Sequence, residues 1–505
     1  MAERDGQDSA SPLACEREPL AFSGRIQDVG ALFGVAPGSD ALVCLSDNAR
    51  RWFELPEDRS ALRLNTLFRD DSDYFRYRRR SIFARHHFVV RNVLSNLGIE
   101  GDLLISEHAK LHLYEFEPKL EARCIAHSQA LRAPVERDAK TLHEELGIDT
   151  LLRRIHALTG YPKVMLYRFL DDGCGEVVAE LSDRSLDSYQ GLRFPASDIP
   201  RSARKLYIDN PLRLIFDTRG RESAVHSLRA HSVDLSYSGL RSVSPLHIEY
   251  LGNMGVRSSA SLPVRVLGRL WGLVALHAVQ PTPIPVEQRL ALLRLVEQDL
   301  SRRLMDAHIK GEHRRFNASA ERLREGAKRL ALALRGDADR ARDDPRPALY
   351  PLIDCDELLV RANGRLLGRA RRIGAQELDA IAAVARAQAL RGQFSTDALH
   401  RFLHQDEDFR RRVSGLLYAS TAIDSAGDRL ELFWLRSEQA QSVTWAGKPQ
   451  KVRRDVDGVE HISPRRSFAA WSAETAGQSA AWDSSDLMIA SKLVVQVIAR
   501  RRALT

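Results

Sequence analysis

Two stretches in the middle of this chain carry polar side chains whose types and spacing could do chemistry. In Arg193-Phe194-Pro195-Ala196-Ser197-Asp198-Ile199-Pro200 each proline biases its preceding residue toward an extended conformation, so we expect Asp198 on a rigid turn. Further along, a helix beginning at Pro245 would place His247 and Tyr250 on one face. A carboxylate, an imidazole and a phenol could together orient a polar ligand.

These polar residues also have structural explanations, which spacing alone leaves open. Asp198 could simply be a cap or turn residue before a helix that starts at Ser202. His247 could be a core histidine whose hydrogen bonds are satisfied, beside a core tyrosine. His277 lies inside the apolar strand candidate Gly272 to Ala278, where a single histidine is usually structural.

The cysteines suggest chemistry by one thiol acting alone. Five are present, and they are odd in number, far apart and without a CxxC pair: Cys15, Cys44, Cys124, Cys174 and Cys355. This pattern predicts neither a disulfide framework nor a zinc site. We therefore expect no metal, and any cysteine with a chemical role would act as a thiolate nucleophile.

The composition is that of a folded protein, with 44% apolar and 28% charged residues. A length of 505 residues predicts about three domains. The net charge of +8 is interpreted as a solvated surface, since no nucleic-acid-binding motif accompanies it, although some arginines could meet a small anionic ligand. No apolar run reaches the roughly 20 residues of a membrane span, and residues 1–12 lack a signal peptide's apolar region. We expect a cytoplasmic protein that binds neither membrane nor nucleic acid.

The elements that must position these residues form an α+β protein with antiparallel sheets. Short strands are predicted at 41–45, 111–116, 164–169, 176–180, 259–266, 269–279, 416–422 and 430–435, and helices at 376–391 and 487–504. Residues 286–332 lack proline and predict a long helix with an apolar stripe, Leu290, Leu293, Val296, Leu300 and Leu304. The stripe could pair with a second copy of the chain, or the helix could pack on its own domain. We expect residues 337–351 to form a loop.

Taken together, the motifs resemble the photosensory core of the bacteriophytochromes. They are PASDIP at 195–200, VMLYRF at 164–169, SPLHIEYLGNMGV at 244–256, LWGLVALH at 270–277, CEREPL at 15–20, WAG at 445–447 and PRRSF at 464–468. The resemblance spans nearly the whole chain in family order. It implies a tail at 1–15, a PAS domain at 16–130, a GAF domain at 135–305, a PHY domain at 320–485 with a tongue hairpin at about 437–483, and a connector helix at 486–505.

The resemblance also implies a biliverdin pocket in the GAF domain. Such a pocket needs an apolar body and a few polar groups that fix orientation. The family's contacts to the propionates match Tyr207, Arg213, Arg241, Ser259 and Ser261. The turn Asp198, Ile199 and Pro200 supplies the backbone carbonyl of Asp198 to the pyrrole N–H groups, with His247 beside it. The cage of the isomerising ring matches Met165, Tyr167, Phe194, Tyr250 and His277.

Attachment of the pigment needs a thiol. In the wider superfamily it stands either directly before the GAF histidine, where this chain has Leu246, or in the N-terminal tail, where this chain has Cys15. The resemblance therefore implies a thioether from Cys15 to biliverdin.

The switch implied by the family lies in the tongue. Arg465 matches the residue that pairs with the Asp198 carboxylate in the resting state, and Ser467, Trp471 and Trp445 are the other expected switch residues. The tongue would then refold from strand to helix. A departure occurs after Ile26-Gln27, where Asp28-Val29-Gly30 replaces the usual Pro-His-Gly, yet Ile26 still fits the residue threaded through a figure-of-eight knot.

The resulting expectation is a red/far-red photoreceptor rather than an enzyme. It would act as a homodimer through the long helix, and the output module or response regulator that it signals to is unknown and is expected outside this chain. The alternatives are a GAF-type sensor of another small ligand, such as a cyclic nucleotide or haem, and a purely structural dimerisation module.

Overall fold

The computed structural model describes residues 20–504 apart from 58–61, 70–80, 85–86, 120–146, 171, 184, 229–231, 335–343, 405, 424–428, 440, 449–451, 457–458, 464–466 and 476. Contacts divide the chain into two units. The first contains residues 1–305 and 444–471, and the second contains residues 306–443 and 472–505. Helices and antiparallel sheets are mixed in both, as expected for an α+β protein.

The first unit begins with an antiparallel sheet that we call the N-terminal sheet. Its strands are Ala31–Val35, Leu42–Ser46, Ser81–Ala84, His87–Leu94, Glu100–Glu107 and His112–Pro118, and 3-10 turns lie at Leu20–Phe22, Asp47–Arg51 and Leu64–Leu67. Edge-to-face rings fill its core, with Phe53 4.9 Å from both Phe33 and Phe116 between ring centroids. Such ring pairs add stabilisation beyond their buried area.

A short N-terminal strand crosses into the following part of the chain. Arg25–Gln27 pairs with Glu222–Ser227, which in turn pairs with Leu42–Ser46. Ile26 is fully buried and also forms a bridge with Arg241. These contacts on both sides of Ile26 are those that a threaded segment needs, and the knot itself stays a prediction.

The second sheet of this unit, which we call the pocket sheet, contains Lys163–Phe169, Gly175–Ser182, Arg193–Phe194, Arg213–Ile215, Ser258–Val266 and Arg269–Ala278. Leu267 and Gly268 join the last two strands as a hairpin, with φ of 50° and 74°. Two successive positive φ angles are those of the turn that matches strand twist. The helices that accompany this sheet are Ile148–Thr159, Arg201–Asp209 and Pro245–Asn253, and Ala196–Asp198 forms a 3-10 turn.

The long predicted helix is present as α-helix Val286–Arg294, a π-helical turn Leu295–Leu300 and α-helix Ser301–Ala333. Leu293, Val296, Leu300 and Leu304 are buried in the core beneath the pocket sheet. The expectation that this stripe pairs with a second copy is therefore wrong for these four residues, because their apolar area is already covered by their own domain.

The second unit is built on an antiparallel sheet of Glu357–Ala362, Arg365–Leu367, Gln393–Thr396, Gly415–Ala422 and Arg429–Arg436. Helices Ala375–Gln388, Glu407–Arg412 and Ser484–Leu504 accompany it, with a 3-10 turn at Leu399–Arg401. The loop expected at 337–351 contains two 3-10 turns, Arg346–Ala348 and Tyr350–Leu352, where buried Leu349 and Leu352 pack into the core.

The described part of the polar stretch at 437–483 contains the strands Gln441–Ala446, Val452–Val456, Val459–Ser463 and Ala470–Thr475. The middle two form an antiparallel hairpin. Within the first unit, Arg193 pairs in parallel register with Trp445. Among the described residues, no helix combines the length and the apolar character that a bilayer span requires.

Candidate functional site

A deep pocket lies in the first unit, where the pocket sheet meets helices Arg201–Asp209 and Pro245–Asn253. Its apolar lining includes Val177, Ile215, Leu251, Leu273 and Ala275. The structure also brings to this pocket all fourteen predicted pigment contacts, which are Met165, Tyr167, Phe194, Asp198, Ile199, Pro200, Tyr207, Arg213, Arg241, His247, Tyr250, Ser259, Ser261 and His277. An apolar body with a few polar groups is the usual form of a site for a large organic ligand.

Strand register explains why residues distant in sequence converge here. Ser259 lies opposite His277, and Ser261 lies opposite both Ala275 and Arg213 on its two sides. Met165 faces Ala275 across the next strand pair. Since side chains of a strand alternate between faces, one face of four strands supplies these groups to the pocket.

Two arginines line the pocket, of which Arg241 is buried and Arg213 is half-buried. Arg241 is 5% exposed, and its Nε has no hydrogen-bond partner among the described residues, as is also true of Nη1 of Arg213. Burial lowers the pKa of Arg213 well below its ordinary value, and the neighbouring charge of Arg241 adds to the effect. Two guanidinium groups, each with a buried donor that has no partner among the described residues, favour a ligand that carries carboxylates.

The two pocket histidines are held in the neutral form. Burial, with a smaller contribution from Arg213, lowers the pKa of His247 to about 4. Burial, followed by the charges of Lys163 and His247, lowers the pKa of His277 to about 3. Nδ1 of His277 has no hydrogen-bond partner among the described residues. A neutral imidazole can donate one hydrogen bond, for example to a carbonyl.

An aromatic cage surrounds the pocket next to Asp198. Tyr167 and Tyr189 both contact Phe194 edge to face, at centroid distances of 5.9 and 5.8 Å. The hydroxyl of Tyr250 donates to Oδ2 of Asp198 at 3.0 Å, and its ring meets Phe468 at 5.1 Å. Phe468 belongs to the PRRSF segment, so this part of the predicted tongue packs on the cage.

Glycine at position 175 makes room for one of the cage rings. A Cβ atom built there would lie 1.8 Å from the Tyr167 ring, which no real contact allows. Tyr167 therefore occupies the space that a side chain at 175 would fill.

A buried lysine behind the cage was missed by the sequence analysis. Lys163 is fully buried, and its Nζ lies 3.5 Å from Glu180 and 3.6 Å from the centroid of the Tyr189 ring. It also donates to the backbone carbonyl of Asp187. The only sequence signal was a lysine at the start of an apolar strand, and its partners follow from strand pairing that spacing does not reveal.

Some predicted residues do not meet in the described structure. Cys15 and Arg465 lie outside the described residues. Ser467 is exposed, Trp471 is 37% exposed, and Trp445 is half-buried. The described residues contain no cluster of three or more potential metal ligands.

The cysteines that the structure describes have weakly acidic thiols. Cys44 is buried, while Cys174 and Cys355 are half-buried. Burial raises the pKa of Cys44 and of Cys355 to about 12, and of Cys174 to about 11. Since the thiolate is the nucleophile, none of these three is primed to attack a ligand near neutral pH.

Comparison with known protein families matches the GAF domain to residues 144–304 and the phytochrome region to residues 324–503. A bacteriophytochrome of Pseudomonas aeruginosa is 36% identical over 381 residues, which is 70% of this chain and 48% of the relative. Cyanobacterial phytochrome B of Nostoc is 32% identical, over 69% of this chain and 46% of the relative. This chain spans about half the length of these two relatives.

Two solved structures extend the likeness across the chain. The phytochrome photosensory core module of Stigmatella aurantiaca superimposes with a TM-score of 0.78 at 28% identity, and the match covers 98% of this chain and 99% of that one. A bacteriophytochrome from the photosynthetic bacterium R. palustris gives a TM-score of 0.74 at 27% identity, over 96% and 99% of the two chains.

Proposed function

This chain has a bacteriophytochrome-type photosensory core and so belongs to the phytochromes, a family of photoreceptors, and we propose that its pocket binds biliverdin covalently through Cys15 and responds to red and far-red light. One observation carries the choice of ligand. The pocket is mainly apolar, yet it is lined by half-buried Arg213 and buried Arg241, each with a nitrogen donor that has no partner among the described residues. A linear tetrapyrrole with two propionates matches both features.

The polar residues of the pocket fit distinct parts of this pigment. Arg213 and Arg241 would bind the propionate carboxylates, supported by the hydroxyls of Tyr207, Ser259 and Ser261. The backbone carbonyl of Asp198, on its turn with Ile199 and Pro200, would accept from the pyrrole N–H groups next to His247. Biliverdin would supply absorption of light and a double bond that isomerises.

The neutral imidazole of His277 would donate to the carbonyl of the isomerising ring, because its Nδ1 lacks a hydrogen-bond partner among the described residues. Met165, Tyr167, Phe194 and Tyr250 would enclose that ring. Tyr167 and Phe194 meet edge to face, and Tyr250 meets Phe468 in the same way, so apolar ring contacts form most of this enclosure.

The attachment through Cys15 is supported by the position of Leu20, which follows it by five residues. Leu20 lines the pocket, and its carbonyl accepts a hydrogen bond of 2.8 Å from Nη1 of Arg241. Five extended residues span at most about 18 Å, so a thiol at Cys15 is within reach of the pocket. The raised pKa values of Cys44, Cys174 and Cys355 leave these thiols poorly suited to the reaction.

The response to light would pass through the tongue. We propose that Arg465 pairs with Asp198 in the resting state and that the pair breaks on illumination, with Ser467, Trp445 and Trp471 changing their contacts as strands become helix. Phe468 supports this route, because it already lies against Tyr250 and Tyr189 beside Asp198. A water-shielded arginine–carboxylate pair is strong and directional, so its loss is a large local change.

The same proposal includes the oligomeric state, the cellular location and the signalling partner of the protein. We infer a cytoplasmic homodimer that signals to an output module or response regulator, by a sensory rather than a catalytic mechanism. The long helix remains the proposed dimer element, through faces other than the buried stripe Leu293–Leu304. Light scattering at several protein concentrations tests this, and a strict monomer would contradict it.

The proposed function is tested by adding biliverdin to the purified chain and recording absorption spectra before and after red light. We expect a visible band that red light converts reversibly into a second band. A colourless protein, or a coloured one whose spectrum light does not change, would reject the proposal.

A further inference from the structure

Glu115 is a buried carboxylate of the N-terminal sheet that bonds to a loop of the pocket. It lies in strand His112–Pro118 and is 2% exposed. It accepts hydrogen bonds from the hydroxyl of Ser238, from the N–H of Gly239 at 3.0 Å and from the N–H of Leu240 at 2.9 Å. A buried charge is costly unless it is hydrogen-bonded, so three donors on one carboxylate indicate that its position matters.

The loop held by Glu115 leads directly to Arg241. The Ser238 hydroxyl donates to Glu115 and accepts from the N–H of Arg241 at 2.9 Å. A continuous chain of hydrogen bonds therefore runs from the carboxylate to the backbone of the arginine. At the other end of this residue, Nη1 donates to the carbonyl of Leu20, while Nε keeps a free donor among the described residues.

The second pocket arginine depends on the same backbone. Nη2 of Arg213 donates to the carbonyl of Arg241. A shift of residue 241 would therefore move one guanidinium directly and remove an anchor of the other. Both charged groups expected to meet the propionates are thus tied to Glu115.

We propose that Glu115 is a positioning residue for pigment binding, which holds loop 238–241 so that Arg241 and Arg213 face the propionate carboxylates. The inference rests on the proposed function, since it needs a pigment that carries carboxylates. The competing explanation is that Glu115 only fastens the N-terminal sheet to the rest of the unit and has no influence on which ligand group is bound.

The same strand offers a matched control. Glu117 accepts two hydrogen bonds from Arg289, at 2.7 and 2.6 Å, and so fastens this strand to helix Val286–Arg294. Arg289 is 3% exposed, so this contact is also well shielded. Glu117 binds Arg289 rather than the 238–241 loop, and Glu117→Gln therefore weakens the attachment of the strand without disturbing Arg241.

The test compares two pigments in a Cys15→Ser background, in which the proposed linkage cannot form and binding is reversible. Biliverdin and its dimethyl ester are titrated into the parent, Glu115→Gln and Glu117→Gln, and absorbance gives each Kd. We expect Glu115→Gln to raise the Kd of biliverdin about tenfold, the loss of roughly one charge-assisted bond, and that of the ester by less than about twofold. Glu117→Gln is expected to change both pigments alike.

Equal weakening of both pigments by Glu115→Gln, or no weakening of either, would overturn the proposal, because esterification removes the charge that the arginines are held to meet. Should Glu115→Gln fail to fold, Ser238→Ala interrupts the same chain of hydrogen bonds. This variant must likewise raise the Kd of biliverdin more than the Kd of the dimethyl ester. Failure of the chain that keeps Cys15 to bind biliverdin rejects the proposed function itself.

Discussion

The hydroxyl of Tyr250 donates a hydrogen bond of 3.0 Å to Oδ2 of Asp198 and so joins helix Pro245–Asn253 to the turn Ala196–Asp198. The ring of the same tyrosine stacks on His247 and meets Phe468 edge to face. The carboxylate at the pocket and the aromatic contact with the PRRSF segment thus share one side chain. In the structure that has this arrangement, residues 441–446 and 470–475 of the predicted tongue are strands.

Replacing Tyr250 with phenylalanine should slow the return from the illuminated state. The ring contacts stay, but the resting state loses a hydrogen bond to a carboxylate, worth about 1 kcal/mol, or about fivefold in rate if the loss falls on the barrier for return. Absorbance recovery in the dark measures this. Tyr350→Phe, which removes a hydroxyl from the second unit, should leave the recovery unchanged. A faster return in Tyr250→Phe would show that the bond favours the illuminated state instead.

Replacing Arg213 with methionine should have opposite effects on two properties: it should stabilise the ligand-free chain and weaken biliverdin binding. Without ligand, Nη1 of Arg213 is a buried donor with no partner among the described residues, so its removal should stabilise the ligand-free chain by about 1 kcal/mol in urea unfolding. The same change should weaken biliverdin binding at least about tenfold, because a propionate loses its partner. A variant that binds biliverdin as tightly as the parent would disprove the role given to Arg213.

Acid should destabilise the ligand-free chain through its two pocket histidines. The folded pKa values of His247 and His277, about 4 and about 3, lie below the ordinary value of 6.5. Below pH 6.5 the unfolded chain therefore binds protons that the folded chain does not, and stability falls as pH decreases toward the folded values. At pH 5 the loss is about 2 kcal/mol for each histidine.

His277→Gln isolates one of these contributions. The free energy of unfolding is measured in urea at pH 7 and pH 5 for the parent and the variant. The variant should lose about 2 kcal/mol less than the parent on acidification. Identical losses in both chains would mean that His277 keeps an ordinary pKa in the fold.

Replacing Gly175 with alanine should disturb the cage by displacing Tyr167, whose ring occupies the site of the new methyl group. Overpacking of this kind costs about 1–3 kcal/mol, and the pigment's absorption band should shift and broaden as its cage loosens. Gly252→Ala is the matched control, because nothing lies within 4 Å of its Cβ position in helix Pro245–Asn253. That change should stabilise the chain by about 0.5–1 kcal/mol. If both substitutions changed the free energy of unfolding and the absorption band by the same amount, the predicted clash between residue 175 and Tyr167 would be wrong.

Elements with a regular pattern of buried residues could be predicted from the sequence, whereas elements without one could not. Strand Gly175–Ser182 alternates between buried and half-buried residues along its whole length, and such alternation is readable without a structure. The polar stretch at 437–483 has no such pattern, so its strands followed only from the family resemblance. The apolar stripe of the long helix predicted burial correctly but could not indicate which surface covers it.

The residues of the site likewise include some that could be predicted from the sequence and others that could not. Motif residues such as Asp198 and His247 were recognisable because their sequence neighbours are distinctive. Lys163 and Glu115 were not, because their roles depend on partners distant in sequence. Strand pairing brings Glu180 to Lys163, and loop packing brings Ser238 to Glu115. Long-range partners of single charged residues are not encoded in local spacing.

The proposed photoreceptor depends on a covalent linkage between Cys15 and biliverdin, and zinc-induced fluorescence of the denatured protein band tests that linkage most directly. The parent, Cys15→Ser and Cys174→Ser are each expressed with biliverdin, denatured and separated. A thioether at Cys15 predicts a fluorescent band for the parent and for Cys174→Ser, and none for Cys15→Ser. A fluorescent Cys15→Ser band, or a parent band without fluorescence, would contradict it.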